Sequence, residues 1–188
     1  EAKGDNEFHC HQEAHDIGRM SYRLLGADVF AIGDGSCHSG FYHGAMESLL
    51  LEEGTSDFKS IIDSVCGVFD TDFGVSECLH GVGHGVLAYE NYNLLSALDV
   101  CDKLGDEWGA SLCYGGVFME NVFTAQGNGA IEGHETQWIS NENLHYPCDL
   151  NGLTKSRQTQ CYYRQIRWML YSRDYDFEQV VTLCAGAN

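Results

Sequence analysis

The chain has 188 residues, enough for one domain with a real core, and 44% of them are apolar, which excludes a disordered chain. Ten Lys and Arg stand against 28 Asp and Glu, a net charge of −18 that repels phosphate backbones and anionic lipid, so nucleic acid is excluded as a partner. No apolar run of about 18 residues is present, so membrane insertion is not expected.

Nine cysteines are many for a reducing cytosol, and their wide spacing contains neither CxxC nor CxxCH. A zinc ribbon, a thioredoxin-type dithiol and a covalent c-type haem are therefore not indicated. Disulfides in an oxidising compartment are the expectation, which places the protein as secreted, extracellular or periplasmic. The polar opening Glu1-Ala2-Lys3-Gly4-Asp5 carries no leader, so an exported protein is expected here in its mature form. Nine is odd, and the cysteine left over offers a route to self-association or to a protein partner.

Taken in chain order, the segments repeat. Cys10-His11-Gln12-Glu13-Ala14-His15 is a degenerate first copy, with its second histidine five residues after the cysteine. Cys37-His38-Ser39-Gly40-Phe41-Tyr42-His43-Gly44 and Cys78-Leu79-His80-Gly81-Val82-Gly83-His84-Gly85 both read C-x-x-G-x-x-H-G. The copy at Cys113 keeps the glycine, Gly116, and puts Met119 where histidine stood, and the copy from Cys161 to Trp168 keeps only the cysteine and aromatic character. Starts are 41, 35 and 48 residues apart, the period of helical-hairpin repeats.

Each unit has a second half. Phe58 to Val65 leads to Cys66, Leu94 to Val100 leads to Cys101, and Phe177 to Leu183 leads to Cys184. Apolar residues three and four apart predict short amphipathic helices ending at cysteine. Cys66 to Cys78 and Cys101 to Cys113 are each 12 residues apart, and Cys148 to Cys161 is 13. The regularity suggests one staple per repeat, from the end of an outer helix to the start of the next inner one. Cys10 with Cys37 would make a fourth, leaving Cys184 alone, as in an array cut before its next motif. The clearest loop is expected over Gln126 to Gly133.

The expected fold is all-α: about four helical hairpins and a degenerate N-terminal one, stacked as a small superhelix or partial toroid and stapled by disulfides. One domain covers 1–188, in units of 8–36, 37–77, 78–112, 113–160 and 161–188. The Gly40–Gly44 and Gly81–Gly85 segments resemble the glycine-rich inner helices of the lanthionine cyclase family, an α/α toroid around zinc. That likeness covers these short motifs alone. The family holds its zinc partly through cysteine, whereas cysteines here read as staples, and no residue is carried over.

Aligned on the second histidine, His15, His43, His84 and Met119 share one position, and equivalent positions of stacked helices face one side. His11 and His80 sit four residues before His15 and His84, one turn away on the same helix face. Glu47 follows His43 by four and Glu120 adjoins Met119. Imidazole and carboxylate suit zinc, iron or copper, and a thioether tilts the choice to copper. The competing explanation is core packing, strongest for His38 beside a staple, while His9, His134 and His145 fall in loops and default to the surface.

Three functions follow from this pattern. A metal-dependent enzyme would use His15, His43 and His84 as ligands, with His11, His80, Glu47 or Glu120 as further ligands or general base. A metal carrier or electron-transfer protein would hold copper, or non-covalent haem between two histidines. A stapled interaction module would pack its histidines without metal.

Overall fold

The computed structural model describes residues 5–129 and 134–185, with side chains from Cys10 onward. It is all-helical, with no strand among the described residues. In chain order the helices are α1 (Asp5–Leu25), α2 (Val29–Ile32), α3 (Gly40–Glu53), α4 (Phe58–Cys66), α5 (Asp72–Tyr89), α6 (Leu94–Cys101), α7 (Glu107–Ala125), α8 (Lys155–Ser172) and α9 (Phe177–Ala185). No helix is long and apolar enough to cross a membrane among these residues.

Two kinds of helix make the architecture. The long helices α1, α3, α5, α7 and α8 form a row in which each packs on the next. In the middle of that row α3, α5 and α7 are buried on almost every side, which is why their sequences are apolar and glycine-rich all round instead of striped. The short helices α4 and α6 cover the row from outside. On α4 the inward face carries Phe58, Ile62, Val65 and Cys66, the i, i+4, i+7, i+8 stripe of an amphipathic surface helix.

The outer helices lie where the apolar spacing predicts them: α4 ends at Cys66, α6 at Cys101, and α9 carries Cys184 in its last turn. The inner helices α5, α7 and α8 begin earlier than their motifs, whereas α3 begins at Gly40, inside its own. Thr71, Asp106 and Thr154 each cap a helix start, their side chains accepting the backbone N–H groups of Gly74, Gly109 and Arg157. Cys78, Cys113 and Cys161 therefore sit in the second turn of α5, α7 and α8, not at their starts.

Four disulfides join Cys10–Cys37, Cys66–Cys78, Cys101–Cys113 and Cys148–Cys161, the pairs that the spacing suggests, and Cys184 is unpaired and exposed. The unit 113–160 departs from the hairpin plan. No helix forms between 134 and 154, and Cys148 lies in a series of turns. That stretch is tied down by side chains instead: Gln165 Nε2 donates to the carbonyls of Leu144 and Tyr146, and Trp138 Nε1 donates to the carbonyl of Tyr92. Of the loop expected over Gln126 to Gly133, residues 126–129 turn away from α7 and 130–133 lie outside the described residues.

The core runs along the row. Met46, Leu50, Ile62, Val82, Leu87, Leu98, Val117 and Phe118 fill it, and a smaller cluster of Val122, Leu144, Trp168, Met169 and Val180 packs between α7, α8 and α9. Glycine sets how closely the inner helices approach. A Cβ on Gly44 would stand 2.0 Å from the backbone oxygen of His15, and one on Gly116 would stand 2.0 Å from that of His80. With any side chain there the neighbouring helices would have to separate.

Candidate metal centre

The close approach of α1, α3 and α5 brings five imidazoles together. His11 and His15 come from α1, His43 from α3, and His80 and His84 from α5. His43 is the hub: its ring centroid lies 5.4 Å from those of His11, His15 and His80, and it stacks on His84 at 4.7 Å. The i, i+4 pairs are in contact, at 4.7 Å for His11 and His15 and 5.1 Å for His80 and His84. The row also curls, because Phe123 of α7 reaches both His11, at 6.0 Å, and His84, at 6.3 Å.

Hydrogen bonds fix which nitrogen carries the proton in the neutral forms of His11, His15 and His84. His15 Nδ1 lies 2.8 Å from Glu47 Oε1, and His84 Nδ1 lies 2.9 Å from Glu120 Oε2. A carboxylate accepts, so both rings donate from Nδ1 and present a bare Nε2. His11 Nδ1 lies 2.7 Å from the carbonyl oxygen of Cys37, which can only accept, so its Nε2 is bare as well. That carbonyl is presented by Cys37, His38 and Ser39, three successive residues in the left-handed region, pinned to α1 through Cys10.

The consequence is unusual. The bare Nε2 atoms of His11 and His15 face each other at 3.1 Å. Two lone pairs repel at that distance unless a metal ion or a shared proton sits between them. Two imidazoles bound tetrahedrally to one metal at about 2.0–2.1 Å would hold their nitrogens about 3.3 Å apart. The His84 Nε2 and both nitrogens of His43 are buried with no hydrogen-bond partner. Ligand atoms of His11, His15 and His43 lie within 4.8 Å of one another, as do those of His15, Glu47 and His84.

The carboxylates are engaged at both ends. Glu47 also receives Arg19 Nη1 at 2.5 Å, and Glu120 receives the Tyr92 hydroxyl at 3.2 Å and the Thr124 hydroxyl at 3.4 Å. Both are buried, at 1% exposure each, and they orient imidazoles as carboxylates behind metal-bound histidines do. Met119 is brought to the cluster, but its sulfur contacts His80 Nε2 at 3.3 Å.

Burial favours the neutral form, the one that binds metal, at His11, His43, His80 and His84. It pushes the His11 pKa down to about 4, helped by the neighbouring His15. It holds His43, His80 and His84 well below the ordinary histidine value, with adjacent imidazoles adding to the effect.

All eight residues singled out from the repeat thus lie in or against one cluster: His11, His15, His43, His80, His84, Glu47, Met119 and Glu120. His38 is exposed and reaches only the His11 ring, at 6.5 Å. His134 and His145, expected on the surface, are half-buried, the first stacked on Tyr92 at 4.1 Å and the second against Tyr162. The side chain of His9 lies outside the described residues. The supporting residues Arg19, Tyr92 and Phe123 were not read from the repeat. Arg19 had a legible signal, standing four after His15 on the same face of α1. Compared with protein-family models, curated proteins and solved structures, the chain finds no match.

Proposed function

We propose that this protein holds one transition-metal ion between α1, α3 and α5, with His11, His15, His43 and His84 as ligands. The observation that carries the reading is the pair of facing Nε2 atoms on His11 and His15, 3.1 Å apart in a buried cluster. The partnerless nitrogens of His43 and His84 add to it, since each buried unsatisfied polar atom costs about 1–3 kcal/mol. A core designed only for packing would place apolar side chains there.

Four neutral imidazoles fill a tetrahedral sphere, the closed arrangement of sites that retain a metal or pass electrons; hydrolytic zinc keeps one position open. We therefore favour a metal-retaining or electron-transfer protein over a metal-dependent hydrolase. All-imidazole ligation suits zinc, copper or iron. The mutual contact of the rings favours a bare ion over haem, whose macrocycle needs room between its two ligands. The four disulfides favour an extracellular or periplasmic setting.

The test is elemental analysis and an absorption spectrum on protein made without a histidine tag. About one tightly held ion per chain is expected, lost in the triple variant His15→Ala, His43→Ala, His84→Ala while the disulfides persist. If copper, iron and zinc all fail to bind, the protein is a stapled module whose histidines only pack.

A further inference from the structure

The last motif copy, at Cys161, carries its own chemistry. Counted from Cys161, the position that is Gly40, Gly81 and Gly116 in earlier copies becomes Arg164, and the position of His43, His84 and Met119 becomes Arg167. Where glycine lets the other inner helices close up, Arg164 fills the space between α7 and α8. Both arginines line a pocket of about 450 Å³ whose other walls include Met119, Val122, Leu170 and Tyr175.

Several basic side chains of this acidic chain pair with carboxylates. Arg19 bonds Asp16 and Glu47, Arg157 bonds Asp99 and Asp102, and Lys59 bonds Asp63. Arg164 touches neutral groups instead: Nη1 is 3.7 Å from the Met119 sulfur, Nη2 is 3.5 Å from His80 Nδ1, and the guanidinium lies over the Tyr163 ring. Its Nε is buried without a partner. Burial lowers its pKa, whereas burial is outweighed by Glu47 and Asp16 at Arg19, whose pKa is raised. A guanidinium does not give up its proton in a protein, and among the described residues no carboxylate stands within ion-pair distance of this half-buried one, Glu77 acting on it only from farther off, so it has room for an anion. Arg167 stands one turn further along α8, held by Gln126 and the Phe123 ring.

We propose that this pocket binds a small organic carboxylate, its charged end on Arg164 and Arg167 and its apolar body against Val122, Leu170 and Tyr175. A planar carboxylate matches the guanidinium fork, and the apolar walls favour a ligand with a hydrocarbon or aromatic body over a bare inorganic anion. Through Arg164, the ligand's charged end reaches the His80 and Met119 edge of the histidine cluster. The pocket stands on its own residues, whether or not the cluster holds metal.

The experiment uses chelator-treated, disulfide-intact protein titrated with benzoate, with benzamide as a neutral ligand of the same shape, and with inorganic phosphate. Saturable benzoate binding is expected, with benzamide at least about tenfold weaker, and with benzoate-dependent NMR shifts centred on Tyr163, Arg164, Arg167 and Tyr175. Arg164→Gln should weaken benzoate at least about tenfold, while Arg173→Gln, outside the pocket, should leave it unchanged. The shift map on the unaltered protein decides the matter even if Arg164→Gln folds poorly. Benzamide binding as tightly as benzoate, phosphate displacing benzoate on equal terms, or shifts that map elsewhere would each overturn the assignment. Because the titration is metal-free, its failure is separable from failure of the metal centre.

Discussion

At the scale of single residues, Glu47 shows how a site can depend on a group that need not touch the ligand. It accepts from His15 Nδ1 on one oxygen and from Arg19 on the other, so it sets the His15 tautomer and ring orientation together. Glu47→Gln keeps the shape but can swing an amide N–H toward His15, which would force the proton to Nε2. Metal affinity is expected to fall about 10- to 100-fold, with little change in the disulfide-bonded fold. A competition titration against a chromophoric chelator measures this, and unchanged affinity would mean that Glu47 only packs. Gly44 acts by what it lacks. In Gly44→Ala the new methyl would collide with the His15 carbonyl, at 2.0 Å, so α1 must move off α3. A stability loss of about 1–3 kcal/mol, as for an overpacked core, should appear in urea unfolding together with weakened metal binding. Loss of stability without any change in metal binding would show that the cluster tolerates a wider helix spacing.

At the scale of elements, the disulfides bind the cover to the frame. Cys66–Cys78 clips the end of α4 to the second turn of α5, and its loop is short, with a sequence separation of 12. Replacing both cysteines by serine should cost about 3 kcal/mol in the chain-entropy account, seen as a lower urea midpoint. The histidines come from α1, α3 and α5, so metal binding by the folded variant should persist. How far the elements could be read from sequence depended on which signal each carried. The outer helices α4, α6 and α9 announced themselves because a one-sided apolar stripe is periodic. The starts of α5, α7 and α8 were hidden because caps such as Thr71 and Asp106 stand seven residues before the motif cysteine. The histidine row was legible because repetition marks equivalent positions, but the tautomers were not, since the partners Cys37, Glu47 and Glu120 come from other helices and turns. Arg164 and Arg167 were passed over because a copy lacking both glycine and histidine looks like decay of the motif.

At the scale of the whole molecule, the cluster makes stability depend on pH. His11, with a pKa of about 4, and His43, His80 and His84, held well below 6.5, are kept neutral in the folded chain but protonate freely once unfolded. Above about pH 6.5 neither state takes up these protons and stability is level. Below it the unfolded chain binds protons that the folded one refuses, so stability falls by about 1.4 kcal/mol per pH unit for each ring that stays neutral. Metal-free protein should therefore show a urea midpoint that drops steeply from pH 7 to pH 5, a range above the titration of most carboxylates. A flat profile across that range would mean that the buried rings protonate without cost. One more property belongs to the chain as a whole. The bridges link each cysteine to the next in order, the first to the second, the third to the fourth and onward, with no bridge crossing another. A polypeptide threading into an oxidising space from its N-terminus would meet its correct partner every time with the nearest thiol still free. In such a space, pairing by order of arrival would give the native connectivity with no isomerase to reshuffle mistakes.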